Sequence, residues 1–309
     1  MAESKSEDTL ADEVGFANIL YYGKPKSGKT TAAASAAKLG KTVYVDAEAG
    51  LKRGPLMQFG IPVTNIVPFR NITFEALDKL FWELLDEPPV ALVWDSTSES
   101  HKQLLTQTAE ARVEKTGKGN RAMFEIGDYG VNTNEMRILA RQFRDLKCHT
   151  AFVALEKREQ DEETGVVAYG PDLTAKLASD VLGYVDVICH TYTKEIKGED
   201  EPQYWGAFRS YDLNVAGDRF HMLPPRLINP SMDRVVAYLN GDLDLDSDEE
   251  MHAVMEATVA KRPNKPEEEV SGEAALIEQL GATEIGGDDP PPAKAAKKTR
   301  PPRPASIKK

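Results

Sequence analysis

Short runs of consecutive apolar residues alternate along this chain with longer stretches whose apolar positions recur every three or four residues. The runs at 16–22, 41–46, 90–95, 150–155 and 184–190 read as buried strands. Residues 74–85 have helical spacing, with Leu77, Leu80, Phe81, Leu84 and Leu85 on one side and Thr73 placed to cap the start. Pro88 and Pro89 stop that helix. The alanine-rich stretch 30–39 and the amphipathic stretch 132–146 predict two more helices. Continuous apolar strands alternating with helices predict an α/β fold: a mostly parallel central sheet covered by helices on both faces. After Thr191 the pattern changes. Residues 203–210 read as late antiparallel strand, and 231–240 as a closing helix.

Composition adds extensions to that core. The chain has 309 residues, 41% hydrophobic and 28% charged, which suits one large domain with tails. Residues 1–14 read as a flexible N-terminus, 15–240 as the core, 241–289 as an acidic and largely disordered segment, and 290–309 as a basic, proline-rich tail. Within the acidic segment, 274–280 is expected to form at most a short helix. The net charge of −12 is therefore a poor guide to the field at the surface of the core. Cys148 and Cys189 each lie beside an apolar run and read as core thiols rather than a disulfide or zinc pair. With no signal-peptide pattern and no apolar run near the roughly 18 residues that span a bilayer, the expectation is a cytoplasmic protein with no membrane partner.

The candidate chemistry begins at Gly23-Lys24-Pro25-Lys26-Ser27-Gly28-Lys29-Thr30, which fits G-x-x-x-x-G-K-[ST] at every fixed position. It stands between a strand run and a helix run, the context in which this pattern forms a phosphate-binding loop. Gly23 and Gly28 allow successive N–H groups to point at a phosphate chain. The helix start, with Thr31 behind it, adds partial positive charge. Lys29 is expected to reach the β- and γ-phosphates of ATP, and the Thr30 hydroxyl to ligate Mg²⁺. The strand at 90–95 ends in Asp95, the Walker B pattern, which would place a second Mg²⁺-holding oxygen group beside the loop. The alternative for Asp95 is a cap on the following helix. The strand at 41–46 ends in two acids, Asp46 and Glu48. Either a carboxylate here activates the water that attacks the γ-phosphate, with Glu48 favoured, or the two form a capping pair.

The order of phosphate loop, strand ending Val-Asp-Ala-Glu and strand ending Val-Trp-Asp-Ser resembles the core of the RecA-type recombination ATPases. That resemblance covers residues 15–238 and implies a RecA-like P-loop NTPase core in which Glu48 is the catalytic base. Residues 125–129 and the helix behind them are similar to the family's first DNA-binding loop. Glu156 stands where the family usually has a glutamine that senses the γ-phosphate and leads into a second DNA-binding loop. Core-only chains of this kind resemble those of bacteriophages, some in the single-strand annealing group, which implies residence in the host cytoplasm.

Contact with single-stranded DNA is expected from the basic, glycine-containing stretch 111–121. Lys115, Lys118 and Arg121 suit phosphates, and Phe124 and Tyr129 offer stacking faces. In the second loop, 157–165, Lys157 and Arg158 are the residues suited to phosphate, and a hairpin turn is expected at 163–165. Motors of this class complete their sites across subunits with a basic finger, so a homo-oligomer, ring or filament, is expected. Arg219 is the first candidate for that finger and Arg209 the second. The leading expectation is a DNA-dependent ATPase in homologous recombination or strand annealing, its tails recruiting a single-strand-binding or recombination partner. The alternatives are a DnaB-like helicase or motor, a nucleotide-dependent regulator without DNA activity, and a DNA-processing nuclease.

Overall fold

The computed structural model describes residues 15–160, 167–195 and 202–253. Expectations for the N-terminal stretch, the turn at 163–165, the short helix at 274–280 and the tails past 253 lie outside the described residues. Six parallel strands form the centre of the sheet, in the order β7 (Val187–Lys194), β1 (Asn18–Gly23), β5 (His149–Gln160), β4 (Ala91–Asp95), β2 (Thr42–Asp46) and β3 (Ile66–Phe69). Antiparallel strands flank it: β8 (Gln203–Ala207) on β7, then β10 (Arg226–Ile228), with the short β9 (Gly217–Asp218) also on β7 and β6 (Val167–Pro171) on β5. The α/β class and the late antiparallel strands are as the apolar pattern predicts.

Each central strand is buried on both faces because consecutive residues feed opposite cores. In β1, Ile19 and Tyr21 face one core while Leu20 and Tyr22 face the other. The first core is closed by α1 (Lys29–Ala34), whose alanines let it lie flat on the sheet, and by α7 (Met232–Asn240). The second is closed by α3 (Phe74–Asp86), α5 (Ile126–Arg144) and α6 (Ala175–Tyr184). Between α1 and α3 the chain forms the short helix α2 (Arg53–Gln58). The Thr73 hydroxyl accepts from the Ala76 N–H and starts α3 as expected.

Three elements depart from the sequence reading. The 20-residue helix α4 (Thr97–Thr116) carries no apolar stripe, because its buried side includes Thr97, Ser98, Ser100 and His101. Helix α5 begins at Ile126, not 132, so residues 126–129 form its first turn rather than a loop. Residues 175–184 are helix, and the strand once expected from 184 begins at Val187.

The chain also keeps packing beyond Gly241, where an unfolded acidic segment was expected. Asp248 accepts from Arg234 at 2.5 and 2.6 Å and from the Tyr238 hydroxyl at 2.7 Å, and Met251 is buried beside them. Burial pushes the Asp248 carboxyl up, but the bonds from Arg234 and Tyr238 outweigh it and hold the acid below its ordinary value. A depressed acid contributes stability that is complete at neutral pH and is lost as pH falls through its folded-state value. Asp248→Asn is expected to cost about 1–3 kcal/mol. Hydrogen exchange should then speed up over 242–253, at neutral pH in the variant and only in acid in the parent protein, with the central strands unchanged.

Candidate nucleotide-binding site

The phosphate loop leaves β1 at Gly23, where no other residue fits. A Cβ there would stand 2.2 Å from the Thr191 carbonyl oxygen and 2.5 Å from its hydroxyl. Thr191 pins the loop to β7: its hydroxyl donates to the Tyr22 carbonyl at 3.1 Å and bonds the Ser27 hydroxyl at 2.7 Å. Lys26 and Gly28 adopt left-handed backbone at φ 66° and 89°, and Gly28 opens α1. The Tyr204 ring of β8 lies against Gly28, where an added Cβ would meet it at 2.9 Å.

Lys29 folds back into the loop and donates to the Gly23 and Lys24 carbonyls at 2.9 and 2.7 Å. Burial lowers its pKa, and the charges of Asp95, Glu48 and Glu156 act the other way. These four groups share one end of the sheet, the C-terminal edge where ligands of parallel sheets bind.

The two acids after β2 separate cleanly. Asp46 is almost fully buried; its carboxylate accepts from the Gly50 N–H at 2.9 Å and pairs with Arg70 at 3.2 Å, so it holds the turn. Glu48 is exposed, and its carboxylate accepts from the Ser96 hydroxyl. Ser96 also caps α4, accepting from the Glu99 N–H at 3.1 Å. The capping alternative for Asp95 is thereby removed, since its neighbour does that work. Asp95 instead pairs in register with Asp46 and accepts from the Tyr44 hydroxyl at 2.5 Å. Burial raises its pKa, against hydrogen bonds from Tyr44 and Thr30 that lower it. A buried carboxylate with the Thr30 hydroxyl beside it is a set of hard oxygen donors that fits Mg²⁺.

Glu156 ends the parallel part of β5 and is buried against His190, Oε2 to Nε2 at 2.8 Å. The His190 Nδ1 is 2.8 Å from the Tyr211 hydroxyl. Burial is the largest influence on His190 and lowers its pKa, helped by Lys24 and Lys29 and opposed by Glu156. A neutral ring then donates from Nε2 to Glu156 and accepts at Nδ1 from Tyr211. The carboxylate at the sensor position is thus already partnered. Beside the loop a cleft of about 750 Å³ runs between α2 and the β8 edge, lined by Thr31, Lys38, Phe59, Tyr204 and Asn229 among others. The Phe59 and Tyr204 rings meet edge to face at 6.3 Å.

The remaining candidates lie apart from this cluster. Lys115 is in the last turn of α4, and Lys118 and Arg121 are exposed in the segment that follows. Phe124 and Tyr129 are exposed and meet edge to face at 6.0 Å. The resemblance of 125–129 to a DNA-binding loop is corrected by the capping of α5: Asp128 accepts from the Glu125 N–H at 2.8 Å and pairs with Arg112 at 2.9 Å. Lys157 and Arg158 lie on β5 opposite Gly170 and Tyr169 of β6, in a strand rather than a loop. Arg219 is tied within its own chain, to Asp186 at 3.4 Å and the Gly183 carbonyl at 2.5 Å, at the sheet end opposite the phosphate loop. Arg209 is exposed beyond β8. Sequence reasoning did not find Tyr44, Ser96, Thr191, His190 or Tyr204, each of which acts across a large sequence separation.

Residues 16–220, from the strand before the phosphate loop to just past β9, match the model of a family described as AAA domain. The chain belongs to the AAA-domain family. This AAA domain carries Gly23–Thr30 as a phosphate loop between β1 and α1, and Asp95 ends β4, separated from β1 by β5. Among solved structures it is similar to a KaiC-like protein from the hyperthermophilic archaeon Pyrococcus horikoshii. The identity is 14% and the TM-score 0.37, over 69% of this chain and 91% of that one. No curated protein matches the AAA-domain chain. Among the described residues, no helix is long and apolar enough to cross a membrane.

Proposed function

We propose that this AAA-domain protein hydrolyses ATP with Mg²⁺ and uses the cycle to bind and release single-stranded DNA in homologous recombination or strand annealing. The observation that carries the hydrolytic part is the sorting of the two acids. Asp46 is consumed by the turn, while Glu48 stands exposed beside the phosphate end with Lys29 and Asp95. Thr30 and Asp95 would hold Mg²⁺, which neutralises charge on the phosphates when bound. The loop N–H groups and Lys29 orient the triphosphate, Lys29 exchanging its two carbonyl partners for phosphate oxygens. Glu48 takes the proton of the attacking water, and Ser96 fixes the direction of its carboxylate. The nucleoside lies in the cleft beside Phe59 and Tyr204.

The DNA part rests on placement. Helix α5 has 19 residues, roughly 28 Å long, and feeds β5 at the N-terminal edge of the sheet. Its first turn, which holds Tyr129 and follows Phe124, therefore lies at the phosphate-loop end. Exposed Lys118 and Arg121 stand in the same segment. Sequence-independent phosphate contacts with aromatic platforms are what single strands require.

The test is ATP hydrolysis with and without single-stranded DNA, at two salt concentrations and several protein concentrations. The expected result is stimulation that falls with salt, and specific activity that rises with protein concentration as a homo-oligomer forms. Lys118→Ala and Arg121→Ala should each lower the salt slope of DNA binding by about 1. Hydrolysis indifferent to DNA would overturn the DNA reading and favour a nucleotide-dependent regulator.

A further inference from the structure

Tyr44 lies in the middle of β2 with no exposed surface, beneath α1 in the first core. A phenylalanine would satisfy that apolar setting equally well. The hydroxyl needs a partner, since a buried phenol without one carries a desolvation cost. Its partner is Asp95, 51 positions along the chain, whose Oδ2 it reaches at 2.5 Å. The register explains the reach. Tyr44 pairs with Val93 and Asp46 with Asp95, so residues 44, 46, 93 and 95 share the α1 face and the phenol extends diagonally to the strand end. The Thr30 side chain at the start of α1 lies beside this pair, close enough to act on both Tyr44 and Asp95. Three oxygens from three elements therefore meet at the point where the phosphate loop faces β4.

We propose that the Tyr44 hydroxyl is a positioning group for the carboxylate that holds Mg²⁺, and that it sets how much Mg²⁺ nucleotide binding requires. This rests on the reading of Thr30 and Asp95 as the metal-holding pair. Asp95 is a short side chain at a strand terminus, and rotation about its last bond sets the plane of its carboxylate. A fixed donor on Oδ2 selects one plane for the carboxylate before any metal arrives. Partners of metal-holding groups that act this way typically change metal affinity by about 10–100-fold when removed. Tyr44 touches neither phosphate nor the attacking water in this arrangement, so its effect is confined to the metal.

The chain holds a matched control. Tyr21 is equally buried on the same face, and its hydroxyl has no hydrogen-bond partner. Tyr21→Phe deletes a buried phenol oxygen without touching Asp95.

The experiment is binding of a fluorescent, slowly hydrolysed ATP analogue to the full chain, titrated with Mg²⁺ and repeated in EDTA. A second readout is the rise in melting temperature that Mg²⁺ gives in the presence of ADP. Tyr44→Phe should raise the half-saturating Mg²⁺ concentration about 10-fold or more. Its binding in EDTA should stay within about twofold of the parent protein, and its Mg²⁺-dependent melting shift should appear only at higher Mg²⁺. Tyr21→Phe should titrate like the parent. A Tyr44→Phe titration superimposable on the parent's would overturn the proposal while leaving Thr30 and Asp95 in place. An equal weakening with and without Mg²⁺ would overturn it by making Tyr44 a packing residue. A parent protein whose nucleotide binding ignores Mg²⁺ altogether would overturn the metal reading, and the role of Tyr44 with it.

Discussion

Glu48→Gln is expected to slow ATP hydrolysis by about 10²–10⁴-fold and to leave nucleotide affinity nearly unchanged. The glutamine keeps the size of the side chain, and its carbonyl can still accept from the Ser96 hydroxyl, so the cap of α4 and the turn after β2 are retained. The proton acceptor is what disappears. Glu48 also supplies part of the negative charge around Lys29, and its loss removes one source of repulsion for an incoming triphosphate. Affinity is therefore expected to hold or tighten while turnover falls. Asp46→Asn is the informative comparison. Its cost falls on the Gly50 turn and the Arg70 pair, so it should lower the melting temperature with a far smaller effect on turnover at saturating ATP. Stopped-flow nucleotide binding with single-turnover phosphate release separates the two. An unchanged single-turnover rate in Glu48→Gln would remove it as the base.

Lys29→Ala is expected to lose both binding and turnover, with turnover down by about 10²–10³-fold even at nucleotide concentrations that fill the site. Lys29 is a buried cation on which the three carboxylates Asp95, Glu48 and Glu156 bear. Without it the carboxylates lose a buried counter-charge and repel a polyanion more strongly. The variant also strips the Gly23 and Lys24 carbonyls of their donor, so the loop should exchange its amides faster even without nucleotide. Filter binding of labelled ATP and amide exchange over 23–30 check the two effects independently. Retained affinity would mean that the backbone of the loop, not the ammonium, supplies the attraction.

How much of this was legible beforehand follows from where each signal lives. The phosphate loop, β1, β2, β4 and α3 are written locally, as apolar runs, glycines at fixed spacing and a Thr73 cap, and the structure has them within a residue or two. The extent of helix α4 was not legible because the start of its buried side is built from Thr97, Ser98, Ser100 and His101, which pack by hydrogen bonds such as Thr97 to the Val153 carbonyl. The junction of α6 and β7 was misplaced because the apolar residues Val181, Val185 and Val187 run on through the turn between them. The start of α5 was missed because Gly127 and Gly130 interrupt its first turns, and the Glu125–Asp128 capping box with the Arg112 to Asp128 pairing fixes it. In the site, the residue types that bind phosphate were plain from spacing. Tyr44, Ser96, Thr191 and His190 were not, because each looks like ordinary strand or cap chemistry until the sheet order sets it beside its partner. The same limit applies to Arg219, whose setting against Asp186 emerges only once β9 is laid on β7.

The most direct measurement is steady-state phosphate release from ATP, with Mg²⁺ and single-stranded DNA present, for the parent chain and Glu48→Gln side by side. The account predicts Mg²⁺-dependent release by the parent, stimulated by the strand, and near-complete loss in the variant at equal nucleotide occupancy. Release that persists in Glu48→Gln, or a parent that binds ATP and never releases phosphate, would contradict it.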